Sequence, residues 1–368
     1  MNLVVNRNAL FIRFGLLHHP FCYLCIPMRK TALFVLLTAL ILVSAGISGC
    51  DPYRKLAKSN KIADKDSAAI GYYNQKKYDR AVYLFEELVP IYSGTLRAEE
   101  MYFYYAYCRF YLGELVSASY YFEDYAKKYP NSSHAQEFEY MTAKTYHMLS
   151  DPHYLDQKYT YKAIEYYQLF LSRHPYSEYT EKCMAALREL RERLAKKAYE
   201  QAYLYYKIGY NKAAVVAFEN MVNQFPDSEF REQAQYYMLK AAVMLAAQST
   251  EGKRSERYDE AMEIAERFTD RFPDSKFASN VADLKSGIGR DKSAFEADMA
   301  QKAQSDLYER VKNALMAAKD AQDDETVEMN RKKAANSLEE LRKKYPDGKF
   351  TAQAEKMFDK FEALKDER

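Results

Sequence analysis

Cys50 is the residue whose surroundings most clearly predict chemistry, because its thiol closes the tetrapeptide Ile47-Ser48-Gly49-Cys50. An uncharged apolar run from Ala32 to Val43 precedes the tetrapeptide, and Arg29 and Lys30 precede that run. A basic start, a short apolar run and small residues at the end are the parts of a secretion signal. The run is too short to cross a bilayer comfortably, so we predict an exported chain rather than a membrane-spanning one.

Residues 28–49 also resemble the signal peptide of bacterial lipoproteins. That resemblance implies that the thiol of Cys50 is acylated, that the chain is cut just before it, and that the mature protein is held at a membrane by its first residue. The alternative is an ordinary signal peptide with a cysteine nearby by chance. Residues 1–27 contain Arg7, Arg13 and Pro20 and fit poorly before such a signal. We interpret them as a non-native upstream extension, with Met28 as the start.

Other reactive side chains do not form a recognisable site. The sequence lacks the glycine-rich phosphate loops, the nucleophile elbow and the HExxH motif. Cys22 and Cys25 form a CxxC without a partner pair, and His147 and His153 flank a loop but have no ligand at helical spacing. We therefore predict no catalytic residue, no metal site and no cofactor.

Composition narrows the classes of partner and fold. Charge is almost balanced, with 54 Lys and Arg against 52 Asp and Glu, whereas a nucleic-acid-binding domain is clearly basic. Glycine and proline are scarce, at 11 and 10 residues, which favours helices over sheets. Cys108 and Cys183 are too few for a disulfide scaffold, so we expect two free, buried thiols.

A repeated pattern of alanine, two apolar residues and proline organises most of the chain. The five full copies are Ala118, Phe122, Tyr125 and Pro130; Ala163, Tyr167, Phe170 and Pro175; Ala214, Phe218, Met221 and Pro226; Ala261, Ala265, Phe268 and Pro273; and Ala334, Leu338, Leu341 and Pro346. A sixth copy opens the series with Ala81, Phe85 and Leu88, but Ser93 stands in the place of the last proline.

The pattern has a helical explanation. Its alanine and two apolar residues lie on one face of a helix, where the alanine lets a neighbouring helix approach and the larger residues fill the groove. Proline then ends the helix. Asp or Ser follows to cap the next one, as in Pro226-Asp227-Ser228 and Pro273-Asp274-Ser275, and Ser133 has capping-box spacing with Gln136. Each copy is therefore one helix of a hairpin, and hairpins must stack to bury their faces.

This pattern resembles the tetratricopeptide repeat. The resemblance implies an all-α superhelix of about five to six helical hairpins, which we place at residues 50–290. The sequence Ser286-Gly287-Ile288-Gly289 predicts a break in the chain, and we predict an additional C-terminal helical hairpin over residues 291–368.

A lipoprotein signal followed by these repeats resembles the BamD family of outer-membrane assembly lipoproteins. The turns Tyr129-Pro130-Asn131-Ser132, Phe225-Pro226-Asp227-Ser228 and Phe272-Pro273-Asp274-Ser275 carry the resemblance. It implies a non-catalytic scaffold, lipid-anchored at the periplasmic face of the outer membrane. It also implies that the C-terminal repeats bind a BamA-like barrel insertase and that the N-terminal repeats receive unfolded outer-membrane proteins. Asp51 complicates the location, because an aspartate there retains lipoproteins at the inner membrane in some bacteria.

The first helix of each hairpin lines the inner surface of such a superhelix. Tyrosine suits a groove that holds varied peptides, because its ring is flat and apolar and its tip is polar. The residues that we predict for this groove are Tyr73, Asn74, Phe103, Tyr107, Phe110, Tyr111, Tyr199, Tyr203 and Tyr206. The alternative is that these rings only replace Leu and Phe in the packing.

Three other functions stay open at this stage. A periplasmic tetratricopeptide adaptor for envelope or cell-wall proteins would have similar repeats. A SusD-like glycan-binding lipoprotein also carries such units, but sugar platforms favour tryptophan, and this chain has none. An enzyme with an unrecognised site is the third. The identity of the partner distinguishes them, since the repeat by itself predicts only binding.

Overall fold

A computed structural model describes residues 52–366, and its regular elements in that range are fourteen α-helices without a strand. The predicted extension at 1–27, the signal peptide at 28–49 and the lipidation site Cys50 lie outside the described residues. The helices are α1 (Pro52–Ala57), α2 (Ile62–Asn74), α3 (Tyr78–Tyr92), α4 (Ala98–Tyr111), α5 (Leu115–Lys128), α6 (Ala135–Met148), α7 (Lys158–Arg173), α8 (Thr180–Lys207), α9 (Asn211–Gln224), α10 (Arg231–Ala247), α11 (Glu251–Arg271), α12 (Ala278–Asp320), α13 (Asp324–Lys344) and α14 (Lys349–Asp366).

The chain forms two compact units, one ending at Tyr105 and one beginning at Ala106. In the first unit α2 and α3 pair as a hairpin. Lys65 and Asp66 are buried in α2, and both charges are matched. Lys65 Nζ donates to Glu87 at 2.6 Å, and Arg97 lies 3.0 Å from the Asp66 carboxylate. A buried charge is tolerated only with such a partner, and of these two contacts the one between Lys65 and Glu87 joins the two helices of the hairpin.

The repeat positions form the core in every copy. All six repeat alanines are fully buried, and so are the apolar residues four and seven positions later, which are at most 3% exposed. In the second unit the hairpins α6–α7, α8–α9 and α10–α11 pair closely. The first helices also contact their successors, α6 with α8, α8 with α10, and α10 with α12. The predicted all-α, tetratricopeptide-like architecture is confirmed.

The prolines end helices as predicted, but the capping differs from the prediction. Helices α5, α7, α9, α11 and α13 each end two residues before the repeat proline. Ser133 does not cap α6, because the N-cap residue is His134. The N–H of His134 donates to the Oγ of Ser132. Likewise Ser228 Oγ accepts the N–H of the N-cap residue Phe230, so the serine shapes the turn ahead of the helix instead of capping it.

The predicted break at Ser286 to Gly289 is wrong. Helix α12 runs without interruption through these residues and is 43 residues long. A glycine inside a helix costs only about 1 kcal/mol relative to alanine, and Ile288 between the two glycines is buried in the core. The boundary predicted at residue 290 therefore falls inside a helix.

The C-terminal segment consists of three helices instead of one hairpin. The second half of α12 packs with α13 and α14 around a small apolar core. Leu307, Val311 and Leu315 contribute to it from α12, and Leu338 and Leu341 contribute from α13. Pro346 follows the end of α13, and α14 begins three residues later, at Lys349. The repeat pattern alone did not separate α14 from the second helix of the predicted hairpin.

Candidate functional site

The first helices of the second unit carry a group of partly exposed tyrosines. Tyr203 and Tyr206 lie in α8, and Tyr236 and Tyr237 lie in the neighbouring helix α10. The ring centroid of Tyr237 is 4.7 Å from that of Tyr203 and 5.4 Å from that of Tyr206. We call these four residues the tyrosine cluster. Their rings pack edge-on or tilted, as the charge distribution of aromatic rings favours.

Lys240 places a positive charge at the tyrosine cluster. Its Nζ lies 5.7 Å from the ring centroids of Tyr206 and Tyr236, and 5.8 Å from that of Tyr237. A hydrogen bond with the Tyr206 hydroxyl raises the pKa of Lys240 above its ordinary value, against the opposing effect of desolvation. The side chain is therefore a cation at neutral pH, held against three aromatic faces.

The aromatic surface continues to the start of α12. Phe277, the N-cap residue of α12, stacks on Tyr236 with 4.3 Å between the ring centroids and an interplanar angle of 8°. Lys276 Nζ lies 5.0 Å from the Phe277 centroid, and Lys207 Nζ lies 5.8 Å from that of Tyr203. The surface thus combines flat apolar rings with ammonium groups, an arrangement suited to a peptide that carries aromatic and acidic groups.

Of the predicted groove residues, Tyr203 and Tyr206 meet in this cluster, whereas Tyr107 and Tyr199 do not lie on an accessible surface. That part of the prediction is wrong, because Tyr107 and Tyr199 are only 6% and 7% exposed. Tyr107 packs against Phe122 and Phe138, with centroid distances of 5.2 and 5.6 Å. Tyr199 packs on Phe218 and Phe230, and burial raises its pKa. Both rings turn into the hairpin interior.

The remaining predicted residues lie elsewhere in the two units. Phe110 is half-buried, and the ring of Tyr111 is about half exposed at the end of α4. In the first unit Tyr73 and Phe103 are half-buried, and Asn74 is exposed as the last residue of α2. Their role in peptide binding stays a prediction.

Sequence reasoning missed Tyr236, Tyr237, Lys240 and Phe277. The repeat register relates equivalent positions of successive hairpins, but Tyr237 reaches Tyr203 across the crossing of two first helices. The crossing angle, which the repeat pattern does not contain, decides that contact. The adjacent pair Tyr236-Tyr237 in a first helix was the available signal.

In the part of the chain that the structure describes, the histidines pair with glutamates and the cysteines are free and buried. His147 Nε2 lies 3.4 Å from Glu189, and His153 Nε2 lies 2.9 Å from Glu200, so both pair with α8. No group of three metal-ligating side chains occurs between residues 52 and 366. Cys108 and Cys183 are free and buried, as predicted, and burial raises the pKa of the Cys108 thiol to about 12. Within the same range no helix has the length and apolar character to cross a membrane.

Comparison with known proteins identifies a family match. Residues 66–257, slightly more than half of the chain, match the family model described as YfiO: Outer membrane lipoprotein. None of the curated proteins compared with the chain matches it.

Several solved structures have similar helical repeats. One is the TPR2AB domain of yeast Sti1 in complex with pHSP90, with 15% sequence identity, covering 62% of this chain and 98% of that one, and a TM-score of 0.30. The TPR domain of P58(IPK) has 13% identity, covers 86% and 69%, and gives a TM-score of 0.31. A tetratricopeptide repeat protein from Parabacteroides merdae has 11% identity, covers 81% and 98%, and gives 0.25. TM-scores this low carry no functional argument.

Proposed function

We propose that this chain, which belongs to the YfiO family of outer membrane lipoproteins, is a lipid-anchored periplasmic scaffold for the assembly of outer-membrane β-barrels. The family match over residues 66–257 carries the proposal. An array of helical hairpins supports it, because stacked hairpins present extended surfaces for binding other proteins. The chain would then act by binding and positioning partners rather than by changing a covalent bond.

The anchor in this proposal is acylated Cys50. Helix α1 begins at Pro52, so only Asp51 separates the anchored residue from the first helix. More than one acyl chain on the same residue suffices for stable attachment, since each buried methylene contributes about 0.8 kcal/mol. The scaffold would therefore stand directly at the periplasmic face of the outer membrane.

We propose two classes of partner for this scaffold. We assign the N-terminal repeats, with Tyr73, Asn74 and Phe103, to unfolded outer-membrane proteins, and we assign the tyrosine cluster of the second unit to the same substrates. We assign the C-terminal repeats to a BamA-like barrel insertase. Neither assignment involves nucleic acid, in keeping with the nearly balanced charge.

The tyrosine cluster supports peptide binding by the second unit. A tyrosine ring offers a large contact area and loses little conformational entropy, because two side-chain torsions define it. Lys240 adds a charge that can pair with a carboxylate next to an aromatic side chain.

Gentle extraction of membranes followed by purification through a tag at Arg368 tests the proposal. We expect a barrel insertase to co-purify in nearly equal amount, and Cys50→Ser to release the chain from the outer-membrane fraction. Recovery of cell-wall enzymes or sugar transporters in place of the insertase would contradict the assembly function.

Substitution then tests the tyrosine cluster. The pair Tyr203→Ala and Tyr237→Ala should weaken crosslinking to an unfolded barrel protein in solution. Tyr161→Ala is the matched control, since Tyr161 in α7 is 55% exposed and outside the cluster. Equal crosslinking by both variants would argue against a binding role for the cluster.

A further inference from the structure

The first described helix, α1, has a basic face and a packed face. Arg54, Lys55 and Lys58 lie within about 100° of one another around the helix axis, and all three are exposed. Lys58 follows the last residue of α1, but its N–H donates to the carbonyl group of Arg54 and continues the helical turn. In the described part of the chain no carboxylate forms an ion pair with these three cations. The opposite side of α1 is partly buried and consists of Tyr53, Leu56 and Ala57.

Aromatic contacts hold the packed face of α1 against the hairpin of α2 and α3. The ring of Tyr53 meets that of Tyr72 edge-on, with 5.6 Å between the centroids, and its hydroxyl donates to the carbonyl group of Arg80 at 3.3 Å. The guanidinium carbon of Arg80 lies 5.4 Å from the Tyr53 centroid and 5.8 Å from the Tyr72 centroid. Because Tyr53 faces the hairpin, the basic face of α1 points away from it. Asp79, which precedes Arg80, belongs to the packed side.

Positive charge is concentrated in this part of the chain. Residues 52–80 include eight Lys and Arg against three Asp and Glu, whereas the whole chain has 54 against 52. Of the three acidic residues, Asp66 is buried and Asp64 forms an ion pair with Lys61. The third is Asp79 on the packed side. The exposed face of α1 is therefore a basic surface on a chain whose charge is otherwise nearly balanced.

The proposed anchor brings this face close to a membrane. Arg54 is four residues after Cys50 and Lys58 is eight residues after it, and most of that distance is helical. With two extended residues and a rise of 1.5 Å for each helical one, the three cations start within about 16 Å of the anchored residue. Asp51 is the single acidic residue between Cys50 and Asp64. A basic segment beside an acyl anchor is a recognised second signal for membrane attachment.

We propose that the basic face of α1 binds the headgroups of anionic phospholipids. The guanidinium group of Arg54 and the ammonium groups of Lys55 and Lys58 pair with lipid phosphates. The contacts of Tyr53 carry this attachment to the hairpin, so the membrane holds the first unit at the acyl group and at α1. The position of α1 at the membrane rests on the proposed acylation of Cys50, but the lipid contact itself needs only described residues.

Vesicle sedimentation tests the contact without the anchor. The chain from Asp51 to the C-terminus contains every described residue and no acyl group. At millimolar lipid, we expect it to bind vesicles of phosphatidylglycerol and phosphatidylcholine in equal parts, but not vesicles of phosphatidylcholine alone. Raising the salt from about 0.1 M to about 1 M should abolish binding, because the screening length falls from about 10 Å to about 3 Å. Arg54→Gln, Lys55→Gln and Lys58→Gln should each weaken binding about fivefold, and the triple variant more than tenfold.

Amine acetylation, followed by mass spectrometry, tests the same contact on the whole anchored chain. The acylated chain is placed in nanodiscs of phosphatidylglycerol or of phosphatidylcholine. Lys55 and Lys58 should react at least about fivefold more slowly on the anionic discs, because contact with phosphate shields their ammonium groups. Lys332, an exposed residue of α13, should react at the same rate on both.

A matched control separates this face from total charge. The combined variant Lys332→Gln, Lys333→Gln and Lys343→Gln removes the same charge from three exposed lysines of α13 and should bind vesicles like the parent chain. Circular dichroism melting should show that both triple variants fold like the parent chain, since α1 contributes no buried residue to the core.

Several results would overturn the proposal. Equal binding to both kinds of vesicle, no binding to the anionic vesicles, or unchanged binding by the α1 triple variant would each do so. If that variant loses a co-purifying protein while the parent chain ignores the vesicles, the basic face belongs to a protein partner. Fractionation of Cys50→Ser and the co-purification experiment report on the anchor and on barrel assembly without involving the charges of α1. Failure of either can therefore be told from failure of the lipid contact.

Discussion

Replacing Lys240 by methionine tests whether its charge stabilises the tyrosine cluster. Methionine keeps an unbranched stem of similar length but removes the ammonium group. The Nζ atom lies 5.7 to 5.8 Å from three ring centroids, close to the outer limit of about 6 Å for a cation–π contact. Each contact should therefore contribute near the lower value of about 0.5 kcal/mol. Because one charge serves all three rings, we expect a total loss of about 1 kcal/mol.

Urea denaturation followed by tyrosine fluorescence can measure this loss, since the chain contains 35 tyrosines and no tryptophan. Lys240→Arg keeps the charge and should lie close to the parent chain. Lys212→Met removes an exposed lysine outside the cluster and is the matched control. Lys240 has a raised pKa in the folded state, so its contribution is complete below the ordinary lysine pKa of 10.5 and is lost only as the pH rises through the raised value. The difference between the parent chain and Lys240→Met should thus be the same at pH 7 and pH 9.

Two results would refute this reasoning. If Lys240→Met is as stable as the parent chain, the cation does not stabilise the rings. If Lys240→Arg loses as much stability as Lys240→Met, packing of the lysine stem, and not its charge, holds the cluster together.

Three further predictions concern packing, backbone and thiols. Phe218→Ala removes a fully buried ring and should lower the free energy of unfolding by about 3–5 kcal/mol in the same urea experiment. Gly209→Ala should cost about 1–2 kcal/mol because Gly209 has a φ of +81°, whereas Gly287→Ala, in open space inside α12, should stabilise by up to about 1 kcal/mol. Cys108 and Cys183 should react with a thiol reagent at pH 8 only in urea, because burial raises their pKa values to about 12 and about 11. Full reaction of both thiols without urea would contradict their burial. Because the unfolded thiols ionise near 9.0, the free energy of unfolding should also fall as the pH rises above that value.

The core could be predicted from the sequence because the spacing of residues along a single helix decides which of them are buried. In each repeat the alanine and the two apolar residues sit on one helical face, and the proline marks the helix end two residues ahead. These rules need only the spacing along one helix. They predicted residues such as Phe122, Phe170 and Met221, all of which are buried in the structure.

The predictions that failed depended on competing energies or on contacts between helices. The glycines at 287 and 289 do not break α12, because burial of Ile288 offsets their modest helix penalty. Tyr107 and Tyr199 belong to the same helices as accessible tyrosines, yet the packing of each hairpin turns them inward. An aromatic residue satisfies either position, so residue type alone could not separate the core rings from those on the surface.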